Sequence, residues 1–295
     1  MSSTNEKNAP FVSSSLFSLK DRTALVTGGG SGIGLMAVQA LVANGAKVYI
    51  TGRTKEKLDR VVELYSQGKG SIVPIVADVS KKDDIAKLVQ EIESKEQSLD
   101  VLVNNAGIAG ATQQTESGSA TEMKKNLFDD ESATFEDWTN TYRTNVPQIY
   151  FMTTAFLPLL QKSSDRHKGW SGTVINISSI SGMVKTAQHH FSYNSSKAAV
   201  IHLNRMLASE IAANELKIRV NSIAPGVFPS EMTADDSNEE QKSHIPKDKY
   251  ADKVPAARPG KDEDMAQAVL FCATNQYLNG QTFAVDGGYT LAAGL

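Results

Sequence analysis

The chain has 295 residues, 40% of them hydrophobic, a formal net charge of -3 and a single cysteine. That length suits one α/β domain with insertions, and the slightly acidic balance carries no nucleic-acid footprint. Cys272 alone excludes an internal disulfide framework and a cysteine-rich zinc site, and it reads as a small buried hydrophobe. No apolar run approaches the ~18 residues of a membrane span. Residues 1–15 are polar apart from Phe11 and Val12 and lack a signal-peptide core, so a soluble, cytoplasmic protein is expected.

Residues 1–18 carry no periodicity and read as a flexible N-terminal arm. Thr23-Ala-Leu-Val-Thr27 is a short apolar run, as in a fully buried strand. Residues 33–44 follow with helical spacing, and Gly45 suits the position after a helix end. Strand 47–51, a polar-faced helix at 55–67, strand 71–77, a helix at 83–95 and strand 100–104 come next. Pro74 is awkward within the third strand. The pattern then predicts one long helix over 135–161, strand 173–177, a helix over 193–214, strand 218–224, a helix over 262–274 and a closing strand at 281–285. Alternating strands and helices argue for a single-domain, Rossmann-like, doubly wound parallel sheet of seven strands flanked by helices. Two polar stretches, 108–134 and 227–257, interrupt the rhythm and read as insertions in a domain covering 19–295. The second has the texture of a lid.

The turn after the first strand is Thr27-Gly-Gly-Gly-Ser-Gly-Ile-Gly34. Glycines here permit a tight turn, and the following helix offers free N–H groups to a pyrophosphate. The frame Gly28, Gly32, Gly34 fits better than a later one starting at Gly32. A dinucleotide binder that selects NAD carries an acid about 20 residues on, for the ribose 2′-hydroxyl. Here the second strand runs into Gly52-Arg53-Thr54-Lys55, with no carboxylate before Glu56. Arg53 offers a fork suited to a phosphate, so NADP(H) is expected over NAD(H).

Downstream lies Tyr193-Asn-Ser-Ser-Lys197, with Ser178-Ser179 ahead of it. Residues four apart share one helix face, so an ammonium sits beside a phenol. A fixed positive charge favours the phenolate and lowers a pKa that is otherwise near ~10. A tyrosine tuned in this way can donate a proton near neutral pH.

Taken together, the glycine turn, Asp78-Val79, Asn104-Asn-Ala-Gly107, Asn145, Ser179, Tyr193 with Lys197, and Pro225-Gly226 resemble the classical short-chain dehydrogenase/reductase (SDR) family over roughly residues 19–291. The run from Pro225 to Thr233 and the 14-position step from Ser179 to Tyr193 look most like the rhamnolipid-type 3-oxoacyl reductase branch. That step is one longer than the commonest family spacing; Gly182 supports Ser179, not Ser178, as the family serine. The resemblance implies that Gly28, Ser31, Gly32, Ile33, Gly34, Arg53 and Thr54 hold the adenosine and phosphates. It places Asp78 and Val79 at the adenine and Asn105, Ala106 and Gly107 at the ribose. Lys197 would bind the nicotinamide ribose, and Pro225, Gly226, Phe228 and Ser230 would wall the nicotinamide, with Thr233 competing for the role of Ser230.

The implied chemistry is reduction of a ketone with NADPH. Tyr193 is the general acid, Ser179 holds the carbonyl oxygen, Lys197 tunes the phenol, and Asn145 holds a water in a proton relay. Met183, Val184, Phe191, Phe228 and Met232 suggest an apolar pocket for a 3-oxoacyl thioester or a secondary-metabolite carbonyl. His189 and His190 read as solvated loop residues, and no metal constellation is visible. The alternatives are a sugar-alcohol or steroid-type dehydrogenase working oxidatively, or a non-catalytic dinucleotide binder. By resemblance the partners are a small-molecule carbonyl or alcohol and further copies of the chain, in a homodimer or homotetramer. Neither nucleic acid nor membrane is expected as a partner.

Overall fold

The computed structural model describes residues 7–234, 236–250 and 254–295. Its core elements are β1 (Thr23–Thr27), α1 (Gly32–Ala43), β2 (Lys47–Gly52), α2 (Lys55–Tyr65), β3 (Ser71–Val76), α3 (Lys82–Lys95) and β4 (Val101–Asn104). They continue with α4 (Ala120–Leu127), α5 (Phe135–Asn145), α6 (Pro147–Arg166), β5 (Gly172–Ile177), α7 (Phe191–Ala213), β6 (Ile218–Pro225), α8 (Asp262–Thr274) and β7 (Thr282–Val285).

All seven strands are parallel, in the order β3-β2-β1-β4-β5-β6-β7. After β1 the chain winds outward through β2 and β3, then returns to place β4 on the other side of β1. Between β1 and β4 the winding reverses, and ligands of open α/β sheets bind outside the carboxyl ends of the strands at such a point. Pro74 sits on β3, the edge strand, where a missing N–H is tolerated.

Strand residues alternate between two cores. Ala24, Val26, Val48, Ile50, Val103 and Ile175 pack with Leu35, Val38 and Leu41 of α1 and Met265 and Val269 of α8. Leu25, Tyr49, Leu102, Val174 and Val220 face the other way, onto Ile85 and Leu88 of α3, Met152 and Phe156 of α6 and Val200 of α7. Burial on both faces explains why β1 and β4 show no apolar–polar alternation and why every residue of β1, β4, β5 and β6 is buried. Cys272 is part of the first core and 1% exposed.

Three expectations change. The long helix over 135–161 is two helices, broken at Val146 because Pro147 cannot continue α5 but suits the first turn of α6. The 108–134 stretch contains α4, capped where the Ser119 hydroxyl accepts from the Glu122 N–H at 3.2 Å and Glu122 accepts from the Gly118 N–H at 2.8 Å. Ser119 and Glu122, three apart, are the sequence signature of such a start. In the N-terminal arm, Ala9–Phe11 and Ser13–Leu16 form short exposed helical turns, and burial begins at Leu19. The second insertion carries short turns at Glu231–Ala234 and Lys247–Tyr250.

Candidate functional site

A cleft of about 380 Å³ opens along the carboxyl ends of β1, β2, β4, β5 and β6. It is lined by Gly28, Ser31, Gly32, Ile33, Arg53, Thr54, Asp78, Val79, Asn105, Ala106, Gly107, Ser179, Tyr193, Lys197, Pro225, Gly226, Phe228 and Ser230. Residues predicted from seven separate stretches of sequence thus line one cleft. Gly34 and Asn145 lie behind it. Gly34 serves the turn from beneath: a β-carbon there would sit 2.0 Å from the Gly28 carbonyl oxygen, so the helix could not approach the turn.

The turn is held from β4. The Thr27 hydroxyl accepts from the N–H groups of Asn105 (2.9 Å) and Ala106 (3.1 Å), and the Asn105 amide donates to the Thr27 and Gly28 carbonyls at 3.0 and 3.2 Å. Thr27 was not singled out from the sequence, since a threonine closing a strand is ordinary. Deeper still, a chain of buried amides runs from Asn104 to Asn176 (2.9 Å) and from Asn176 to Asn204 (3.0 Å), tying β4, β5 and α7 together. Sequence reading missed Asn176 and Asn204 as well; asparagine in an apolar strand was the available signal.

At the far end of the cleft, Ser179 and Tyr193 both line the wall, and the Ser179 hydroxyl acts to lower the phenol's pKa, while Ser178 is turned away and bonds Ser222 (2.7 Å) and the Ile223 carbonyl (3.0 Å). The hydroxyl facing the tyrosine is therefore that of Ser179. The longer step to Tyr193 is absorbed in a loop where Gln188 and His189 have φ of 52° and 66°. His189 is not simply solvated: its ring bonds the Gln113 carbonyl at 3.1 Å, joining the first insertion to this loop. His190 lies edge-on to Tyr193, ring centroids 6.3 Å apart.

Gly182 docks the serine turn on α7; a β-carbon there would lie 2.5 Å from the backbone of Lys197 and Ala198. Lys197 is 4% exposed, donates to the Ile177 carbonyl at 2.9 Å, and lies 5.6 Å from the centre of the Tyr193 ring. Burial lowers its pKa to about 8.

One electrostatic expectation is corrected. In the protein alone, burial pushes the Tyr193 phenol above its ordinary value, and the nearby Ser179 hydroxyl opposes that shift. The sequence argument counted the neighbouring ammonium but not the cost of desolvating the phenolate. Asn145 is likewise more occupied than expected. Its side chain accepts from the Ile108 N–H and donates to the Ile108 carbonyl, both at 2.9 Å, and also donates to Ser196 at 3.0 Å.

Of the residues expected to make an apolar substrate pocket, Phe228 and Met232 line the cleft, but Met183, Val184 and Phe191 do not. The Phe228 ring is itself 2% exposed and packs on Gly260, so it backs the wall. Ser230 and Thr233 bond one another at 3.1 Å, and Thr233 donates to the Phe228 carbonyl at 2.7 Å. Asp78 accepts from the Ser80 N–H (3.1 Å) and hydroxyl (2.7 Å). Burial pulls its pKa up, but these bonds and Lys81 leave it below the ordinary value.

The cleft fits a dinucleotide. Its turn lies at a helix N-terminus, and Arg53 stands exposed at the mouth with no ion pair among the described residues. No group of metal ligands occurs among the described residues, and no helix there is long and apolar enough to cross a membrane.

A phosphate-type turn and a serine–tyrosine–lysine set in one cleft of a doubly wound sheet define a dinucleotide-dependent oxidoreductase. The family model described as short chain dehydrogenase matches residues 22–241. The chain belongs to that family. It is 39% identical over 285 residues to the short-chain dehydrogenase/reductase PhomF of Diaporthe leptostromiformis, covering 94% of each chain. It is 34% identical over 278 residues to the rhamnolipids biosynthesis 3-oxoacyl-[acyl-carrier-protein] reductase of Pseudomonas aeruginosa, covering 93% of this chain and 98% of that one. Among solved structures, the Pseudomonas aeruginosa RhlG/NADP active-site complex superimposes with a TM-score of 0.77 at 33% identity, over 93% of this chain and 98% of that chain.

Proposed function

We propose that the protein is an NADPH-dependent reductase that converts a ketone to a secondary alcohol, the carbonyl being that of a 3-oxoacyl thioester or a related secondary metabolite. The observation that carries this reading is that Ser179, Tyr193 and Lys197 line the same cleft as the glycine turn and Arg53. Similarity to the 3-oxoacyl-[acyl-carrier-protein] reductase of rhamnolipid biosynthesis supports the substrate class.

The bound cofactor supplies the hydride. Ser179 holds the carbonyl oxygen, and Tyr193 gives its proton to that oxygen as negative charge builds there. Lys197 is the buried positive charge that eases loss of the phenol proton. Asn145, fixed between Ile108 and Ser196, keeps the loop after β4 against the base of Lys197 and orders the relay that reprotonates the tyrosine. Asp78 and Val79 bound the adenine end, and Pro225, Gly226 and Ser230 bound the nicotinamide end. The protein acts in the cytoplasm as a dimer or tetramer. Exposed Phe135, Trp138 and Tyr150 on α5 and α6 support pairing through those helices.

The test is an NADPH-consumption screen over β-ketoacyl thioesters, quinones and cyclic ketones, followed by loss of nicotinamide absorbance. Turnover of at least one ketone is expected; none with any ketone would leave only a dinucleotide binder. For cofactor choice, Arg53→Ala is expected to weaken NADPH binding by about 10- to 100-fold with little change for NADH. Equal losses for both would remove the assignment of Arg53.

A further inference from the structure

Lys57 and Glu231 face each other across the adenosine end of the cleft, with Nζ and Oε1 2.6 Å apart, and both line it. Glu231 opens the short helical turn after β6; Lys57 lies in the first turn of α2. The same carboxylate accepts from the Ser237 hydroxyl at 2.6 Å, and Ser31 lines the cleft beside it. Ser31 is the N-cap of α1, the helix behind the glycine turn, and its hydroxyl makes no capping bond. Ser230 packs on the same turn, its β-carbon 2.9 Å from where a side chain on Gly32 would begin.

A carboxylate at a helix N-terminus, held by a serine hydroxyl and an ammonium, has the partners a phosphate takes. Lys57 lies four residues past Arg53, on the helix following the strand end where the adenosine ribose is read in this fold. Lys57 thus stands on the 2′ side of the cleft, within reach of the group Arg53 is proposed to hold.

We infer that Glu231 fills an anion position that the cofactor's 2′-phosphate takes over, and that Lys57 passes from the carboxylate to that phosphate. This rests on the NADPH reading above. Lys57 then becomes a second determinant of cofactor choice beside Arg53, and Glu231 an internal competitor. A phosphate carrying close to two negative charges outbids a single carboxylate for the ammonium. The exchange also has a consequence along the chain. Met232 and Thr233, next to Glu231, line the same cleft, so the start of the second insertion is released when the 2′ side fills.

Titration calorimetry of the intact protein with NADPH and with NADH tests the exchange. Lys57→Met is expected to weaken NADPH about 10-fold and NADH less than about 3-fold. Glu231→Gln is expected to tighten NADPH about 3- to 10-fold, a gain that a damaged fold does not produce. Amide exchange of residues 230–234 is expected to change with 2′,5′-ADP and not with 5′-ADP. Equal losses for both cofactors in Lys57→Met, no gain in Glu231→Gln, or no exchange difference between the two nucleotides would each overturn the inference. Preference of the wild type for NADH would remove the underlying reading as well. Preference for NADPH that survives unchanged in both variants would remove only the exchange.

Discussion

The two ends of the sheet are built to opposite rules. At the amino ends of the strands, the buried charged side chains have partners. Asp100, 1% exposed, accepts from the Thr23 N–H (2.8 Å) and the Ser163 hydroxyl (2.7 Å), with Arg22 at 3.7 Å and His167 at 3.5 Å. Glu96 takes Lys47 at 2.5 Å and the Tyr49 hydroxyl at 2.6 Å. Arg219 donates to the carbonyls of Cys272 and Ala273 at the end of α8, where cations are favoured. At the carboxyl ends, Lys197 is buried with one carbonyl as its hydrogen-bond partner, and the phenol beside it is pushed up in pKa by the same burial. One end spends its polar groups on holding the strands; the other keeps them costly and available, as a catalytic site requires.

Substitutions at the two ends should therefore separate rate from stability. The largest effect is expected for Tyr193→Phe, which should lower kcat about 10²- to 10⁴-fold while NADPH affinity and melting temperature stay close to wild type. Retained turnover would remove the proposed acid and erase the contrast. Next, Asp100→Ala should cost about 2–4 kcal/mol in urea unfolding, because it strands the Thr23 N–H, Ser163 and Arg22, with kcat per folded molecule unchanged. A fall in kcat at full folding would show that the amino ends reach the chemistry.

Lys197→Met sharpens the comparison from the site side, with loss of turnover but a gain in stability. The folded pKa of about 8 lies below the ordinary value of 10.5, so below pH 8 the lysine is charged in both states and folding bears the desolvation cost. That cost fades as pH rises from about 8 to 10.5, where the unfolded chain holds the extra proton. The variant should thus be more stable than wild type at pH 7, by up to about 3 kcal/mol, with the advantage gone in strong alkali. In the wild type, kcat/KM should fall as pH rises through about 8, as Lys197 loses its charge. A flat profile would separate the lysine's charge from the reaction.

Much of this was legible in the chain itself. Covered strands cannot alternate, so their apolar runs announced a parallel sheet, and the glycine turn after β1 marked one wall of the cleft. The chemistry-bearing residues were readable because each sits where a strand or helix ends. What escaped was relational. Thr27, Asn176 and Asn204 act through partners 28 to 79 positions away, which local patterning cannot reveal. Lys57 and Glu231 are 174 positions apart and resemble ordinary surface charges until the fold joins them. The desolvation of Tyr193 depends on what covers it, and no spacing rule reports that.

Position 182 has a further consequence. With no atom to spare between the serine turn and the backbone of α7, the hydroxyl at 179 and the amine at 197 belong to a single rigid body. Mutation cannot adjust one without shifting the other, so natural or laboratory evolution of substrate scope has little freedom there. Diversification is left to the two insertions, which can vary in length and composition without disturbing that fixed pair.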